Sequence, residues 1–283
     1  MSGQHRPRAV LLATALTAAV ACATPPAPVP AANMQAASWP SGPLVDLSHA
    51  YGADTIFWPT AEGFSLETVA AGMTPQGYYY AANTFASAEH GGTHLDAPIH
   101  FAEGRHAVEQ IPLDRLVGEA AVIDVGASAD ANPDYQVTID DFTAWETAHG
   151  SLHDTIILVR TGYSRRWPDA ARYLGTAERG PEAVARLHFP GIHPDAARWL
   201  AGERRVKAVG IDTASIDYGQ STLFESHRAL YERDIPGFEN LANLHELPPR
   251  GATLVALPMK IAGGSGAPLR AIAILPPAPP TTR

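Results

Sequence analysis

Alternating strand and helix signals predict a single α/β or α+β domain built around a mixed sheet. Short β-branched or fully apolar runs outnumber helical stretches, and the helical stretches fall between strands. No internal repeat is visible. With 283 residues, 46% of them hydrophobic and 17% charged, the chain can bury a full-sized core.

The elements follow in order. Leu44 to Ser48 alternates as a strand, with His49 at its end as a hydrogen-bonding residue or, less simply, a site residue. Asp54 to Thr60 is an apolar loop carrying Trp58, which suits a pocket wall or a core anchor. Phe64 to Ala70 and Tyr78 to Ser87 read as strands, and Tyr78, Tyr79 and Tyr80 place alternate rings on opposite faces. Glu109 to Leu116 holds a turn or helix start, and Ala120 to Val125 is a buried strand. Thr138 to His149 reads as a helix, with Thr138 as N-cap, Asp140 and Asp141 in the first turn, and Gly150 as the stop. Thr155 to Val159 is the strongest strand signal. Pro194 to Glu203 and Thr222 to Tyr231 are helical, and Val206 to Ile211 is a buried strand ending at Asp212. Thr253 to Leu257 and Leu269 to Ile274 close the chain as strands, joined through the flexible turn Gly263-Gly264-Ser265-Gly266. The long stretch from Gly162 to His193 has the length of a lid or an oligomer contact.

The N-terminus reads as an export signal over residues 1–21. Arg6 and Arg8 precede an apolar run, Ala9 to Val20, that is short for a bilayer span. Cys22 is the sole cysteine and stands where a lipoprotein signal would place its lipidated residue. A single cysteine also excludes an internal disulfide. Residues 22–42 form a Pro/Ala-rich linker, leaving 43–283 as one catalytic domain. The expectation is an exported protein, periplasmic or anchored to the membrane at Cys22. A formal charge of −9 with no Lys/Arg cluster argues against nucleic acid or anionic lipid as partner.

Chemistry concentrates in one stretch. His90-Gly-Gly-Thr-His94-Leu-Asp96-Ala-Pro98-Ile-His100 packs three histidines and an aspartate into eleven residues. Imidazole and carboxylate suit a divalent ion such as zinc or manganese, and the lack of Cys leans towards catalysis. The glycine pair argues against a regular helix here, so a strand end and the turn after it would converge the ligands.

His90-x-Gly92-Thr93-His94-x-Asp96-x-Pro98-x-His100 resembles the motif of the cyclase family of metal-dependent hydrolases, which includes bacterial kynurenine formamidase and isatin hydrolase. Asp46-Leu47-Ser48-His49, Trp58-Pro59, Gly210-Ile211-Asp212-Thr213, Ser226-His227, Glu239-Asn240-Leu241 and Ala256-Leu257-Pro258 resemble further family segments. The resemblance implies a swivelling β/β/α fold with a mixed sheet and metal-dependent hydrolysis of amide bonds. It implies that His90, His94, Asp96, His227 and Glu239 hold one or two ions, that His100 is the general acid/base, and that Trp58 contacts substrate. A homo-oligomer is also implied. Arg228 stands where formamidases commonly carry a second histidine, and Gln220 offers an extra neutral ligand or a plain turn residue. These departures leave the substrate and the number of ions open but not the reaction class, and the leading reading is a small cyclic or aryl amide of the isatin kind as substrate. The alternatives are an arylformamidase acting on N-formylkynurenine, or a metal-binding surface lipoprotein without catalysis.

Overall fold

The computed structural model describes residues 41–277. The export signal, most of the linker and Cys22 lie outside the described residues. Strands run over Leu44–Asp46 (β1), Ser65–Met73 (β2), Tyr79–Ala86 (β3), His94–Asp96 (β4), Val117–Asp124 (β5), Gln136–Val137 (β6), Ile156–Arg160 (β7), Gly191–Ile192 (β8), Ala208–Ile211 (β9), Gly237–Glu239 (β10), Arg250–Pro258 (β11) and Gly266–Ile274 (β12). Helices run over Gly126–Ala131 (α1), Ile139–His149 (α2), Ala170–Leu174 (α3), Pro181–Val184 (α4), Pro194–Trp199 (α5) and Glu225–Tyr231 (α6). Among the described residues no helix is long and apolar enough to cross a membrane.

The mixed sheet expected from the sequence is present, and it closes on itself. The order β12-β11-β5-β7-β9-β10-β4 returns to β12 through β4, so seven strands form a barrel-like ring, with β1 added along β12. Strands β5, β7, β9 and β10 run parallel, and the remaining pairings of the ring are antiparallel. Closure leaves no free edge in the ring, which removes a surface prone to aggregation.

Period-two alternation sorts the side chains. Ala120, Val122, Ile156, Leu158, Ala208, Phe238, Leu254 and Leu95 fill the barrel interior. Their neighbours Ala121, Ile123, Ile157, Val159, Val209 and Ile211 face outward. There they are covered by Phe142 and Trp145 of α2, Ala197 and Trp199 of α5, and Leu230 and Tyr231 of α6. Both faces of the parallel strands are therefore buried, which explains their near-continuous apolar runs.

The helix expected over Thr138 to His149 forms with the expected start and stop. The Thr138 hydroxyl accepts from the Asp141 backbone N–H, the Asp141 carboxylate accepts from the Thr138 N–H in return, and Gly150 follows with φ of 90°. The Pro194 helix is shorter than expected, because after Trp199 the chain passes into a π-helical turn over Leu200–Arg204. The Thr222 helix begins only at Glu225.

Packing corrects one expectation and places two expected strands. The stretch from Gly162 to His193 is no open lid, because Tyr163, Tyr173, Leu187 and Phe189 are fully buried with Ile56 in a third core cluster. The strands flanking Thr74 to Tyr78 form, but outside the barrel. β2 and β3 pair only with each other, as a protruding hairpin arm. On it Leu66 is 61% exposed, Met73 68%, Tyr79 64% and Phe85 55%.

Candidate metal centre

The site lies on the outer face of the barrel, under α6. Strand β4 points Leu95 into the barrel, so period two turns His94 and Asp96 outward. Its antiparallel neighbour β10 pairs Glu239 with His94, Phe238 with Leu95 and Gly237 with Asp96. The same alternation sets Glu239 beside His94, although 145 positions separate them in the chain.

Asp96 is flanked by glycine on both sides, by Gly237 in β10 and Gly266 in β12. A Cβ at Gly237 would come 2.6 Å from the Tyr231 hydroxyl, and one at Gly266 would come 2.5 Å from the His90 ring. Rings occupy the space those side chains would need. The Tyr231 hydroxyl donates to Asp96 Oδ2 at 2.9 Å, and His90 Nδ1 lies 2.7 Å from Asp96 Oδ1.

His90, His94 and His227 all turn a nitrogen to Asp96. His94 Nε2 is 3.0 Å from Oδ1, and His227 Nε2 is 3.4 Å from Oδ2. Glu239 closes the set, at 3.0 Å from His227 Nε2 and 3.6 Å from His94 Nε2. The distal pair expected to join the stretch thus converges on it. His100 sits in the turn Pro98–His100 and stacks on His90 with centroids 3.8 Å apart. His90, Asp96 and His100 also offer ligand atoms within 4.8 Å of one another, as do His94, Asp96 and Glu239.

The histidines are oriented from behind. His227 Nδ1 faces Asp217 Oδ2 at 2.6 Å, and His94 Nδ1 donates to the Gly92 carbonyl at 3.0 Å. His90 Nε2 lies 3.0 Å from the Ser265 hydroxyl, which donates to Glu89 at 2.6 Å. Such contacts fix ring tautomers, and their loss from metal sites typically weakens binding about 10–100-fold. The glycine-rich turn therefore does more than join two strands, since Ser265 holds the first histidine in place.

Electrostatics point the same way. Burial disfavours a charge on Asp96, but His90, His227 and His94 outweigh it and hold its carboxyl well below the usual range. Burial and the Asp96 charge push Glu239 up. Burial alone would lower His227, yet hydrogen bonds to Asp217, Asp96 and Glu239 raise it well above the usual imidazole value. His94 is likewise raised against its burial, chiefly by Asp96. Two buried carboxylates among three imidazoles form a cavity that calls for positive charge. His94 Nε2 is buried between the two carboxylates but makes no well-aligned hydrogen bond to either, as a ligand atom aimed at an ion would be. Mixed nitrogen and oxygen donors with no thiolate fit a divalent ion of the zinc or manganese kind.

Next to these residues opens a cavity of about 280 Å³, lined by Trp58, Ala61, Ala88, Phe101 and Ser215 together with the site residues. Trp58 satisfies both of its sequence readings. It is half-buried against Phe189 of the third core cluster, edge-on at 6.4 Å, and it also walls this cavity. Phe101 packs on His227 at 4.8 Å between centroids. Burial lowers the His100 pKa to about 4, with Asp96 opposing and the other histidines assisting, so at neutral pH the ring is uncharged.

Other candidates stand apart. The Gln220 amide donates to the Leu187 carbonyl and borders a different pocket, so it acts as a turn residue. The His49 ring lies flat on Trp167 at 4.2 Å, and its backbone N–H donates to the Thr93 hydroxyl, the strand-end role. Sequence reasoning missed Asp217, Tyr231, Ser265 and Phe101. Phe101, next to His100, was the most accessible of these, while the others come from segments with no motif spacing.

Comparison with known proteins agrees with this geometry. The Cyclase family model matches residues 45–218. An isatin hydrolase of Roseibium aggregatum is 35% identical over 211 residues, covering 71% of this chain and 78% of the relative. A kynurenine formamidase of Salinibacter ruber is 31% identical over 234 residues, covering 81% and 96% respectively. Among solved structures, isatin hydrolase A from Labrenzia aggregata bound to benzyl benzoate superposes with a TM-score of 0.74 at 33% identity, covering 82% of this chain and 93% of that one.

Proposed function

The chain belongs to the cyclase family and is a metal-dependent hydrolase of carbon–nitrogen bonds other than peptide bonds, and from that premise we propose that its substrate is a small, neutral cyclic or aryl amide of the isatin type. The observation that carries this reading is the lining of the cavity. Trp58 and Phe101 offer flat apolar walls, Ala61 and Ala88 leave room, and among the described lining residues there is no Lys or Arg. A planar ring gains stacking and burial there. N-formylkynurenine would bring an amino-acid carboxylate and ammonium, and this wall offers the carboxylate no cationic side chain.

His90, His94, Asp96, His227 and Glu239 would hold the metal, zinc or manganese, as one ion or two. When bound, the ion polarises the amide carbonyl and lowers the pKa of water to about 7. The protein supplies the rest. Neutral His100 takes a proton from the attacking water at its free ring nitrogen and delivers it to the leaving nitrogen. Trp58 and Phe101 orient the ring and exclude water. The formamidase reading is kept second by the Salinibacter ruber relative. A purely metal-binding role leaves the placement of His100 at the cavity without a purpose.

The test is a substrate panel with zinc- and manganese-loaded protein. Isatin-type amides are expected to be hydrolysed with kcat/KM at least about tenfold above N-formylkynurenine, a difference of about 1.4 kcal/mol. Preference for N-formylkynurenine would transfer the assignment to the arylformamidases, and no turnover of either would remove the isatin reading. We also propose that the chain is exported and anchored through Cys22. Cys22→Ser is then expected to move the protein from the membrane to the soluble fraction, and continued membrane association would end the anchor proposal.

A further inference from the structure

Arginines from three separate segments of chain meet along a trough on the outer side of α6. One hollow of about 340 Å³ is lined by Arg198, Arg228 and Arg233, with Glu225 and Glu232. A second of about 310 Å³ is lined by Arg115, Arg205 and Arg233. The two share Ala201, Gly202 and Arg233, so they run into one another. Five arginines thus face two glutamates, in a chain whose net charge is −9. A concave surface of reversed sign concentrates anions.

The backbone keeps the trough open. Part of its lining is the π-helical turn Leu200–Arg204, a form that recurs at functional sites. Gly202 stands in that turn with nothing within 4 Å of where a Cβ would be. Arg205 ends the turn in the left-handed region at φ 49°, a strained setting of the kind found at ligand clamps. The Arg115 guanidinium donates to the Val206 and Lys207 carbonyls at 3.0 and 3.2 Å, which fixes it at one end of the trough. Arg198 is partly engaged, with Asp195 at 2.7 Å and Glu225 at 4.0 Å. Arg205, Arg228 and Arg233 are exposed and make no ion pair among the described residues. Arg228 is the residue that departs from the formamidase pattern. Its neighbour His227 is buried towards the metal centre, whereas Arg228 lines the trough on the other side of α6.

We propose that this trough binds a small polyvalent anion of the phosphate-ester class. Guanidinium groups grip phosphate oxygens through two parallel N–H bonds, and three unpaired forks in one trough suit more than one phosphate. Each hollow has the size of a small-ligand pocket, and the negative charge of the whole chain opposes a polynucleotide. Helix α6 divides this site from the catalytic cavity. Glu225, Arg228, Ala229 and Glu232 face the trough, while His227 and Tyr231 reach Asp96 from the opposite side. The anion therefore sits apart from the reacting atoms.

Calorimetric titration of the metal-loaded protein with propane-1,3-diol bisphosphate tests this. A parallel arm floats the Cys22→Ser protein, which cannot carry a lipid anchor, with phosphatidylglycerol vesicles. Saturable binding of the bisphosphate that weakens as salt rises is expected. Arg228→Ala combined with Arg233→Ala is expected to weaken it at least about tenfold, through lost charge-assisted hydrogen bonds, with metal content and Tm unchanged. Gly202→Glu sets a carboxylate in the trough and is expected to weaken binding to a similar degree. Vesicle binding that both variants abolish, with no binding of the free bisphosphate, assigns the same phosphate chemistry to a lipid headgroup. A wild type that binds neither probe overturns the proposal. Binding that both variants retain overturns it too, because the probe would then sit at the metal centre or elsewhere. Should the double variant not fold, Gly202→Glu decides by itself, since glutamate favours a helical turn over glycine.

Discussion

His94→Ala is expected to lose bound metal and amide hydrolysis together, with turnover down by at least roughly 10³-fold, because without the ion the attacking water no longer has a pKa near 7. His94 sits at the centre of the ligand set. Its Nε2 is buried and directed between Asp96 at 3.0 Å and Glu239 at 3.6 Å. Its Nδ1 is tied to the Gly92 carbonyl, so the ring cannot turn away. Deleting it leaves two buried carboxylates facing each other with one imidazole fewer, a like-charge arrangement that the fold tolerates poorly. Metal content by mass spectrometry and a melting curve check this. An ion present at a thousand times its Kd stabilises the folded state by about 4 kcal/mol, so a chelator should lower the wild-type Tm and leave the variant unmoved. A His94→Ala protein with full metal content and wild-type turnover would refute the ligand assignment.

The second large effect separates chemistry from binding. His100→Ala is expected to keep its metal and lose about 10²–10⁴-fold in kcat, the usual contribution of a general acid/base. The geometry makes this a real test, because His90, Asp96 and His100 lie close enough to hold an ion among themselves. If His100 is a ligand, the variant loses metal as His94→Ala does. If it moves protons, metal affinity stays and the acid limb of the pH profile changes. Burial lowers the pKa of His100 to about 4, so the ring accepts protons throughout the neutral range and loses that capacity only as pH falls towards that value. A wild-type acid limb governed by His100 should therefore lie well below pH 6.5 and vanish in the variant.

The uneven behaviour of the histidines has a common origin. His90 and His100 come from turns, His94 from a strand, and His227 from a helix, yet all four gather around Asp96. Asp96 can take that place because both neighbouring strands carry glycine opposite it. Tyr231, a large residue of α6, then reaches its second oxygen. With Asp217 behind His227 and Ser265 behind His90, the supporting contacts come from three separate segments of chain.

What was legible in the chain is what neighbours in sequence decide. The α2 helix was readable because its N-cap, capping acid and terminal glycine act within a few residues of one another. The eleven residues from His90 to His100 were readable because ligand types, glycines and proline crowd one short turn. Resemblance to a family motif, not periodicity, pointed to His227 and Glu239. Strands β4 and β10 have three residues each, too short for any alternation to show, yet their register is what sets Glu239 beside His94. The arm strands were legible as strands, because alternation is local. Their departure from the barrel was not, because membership of a sheet depends on hydrogen bonds to partners far along the chain. Closure of the ring between β4 and β12 is likewise a long-range event. The sequence by itself determined which side chains could bind a metal, and only the tertiary structure decided that they meet. Ligand chemistry belongs to single residues, whereas a buried charge cluster exists only once the barrel and α6 have excluded water from around it.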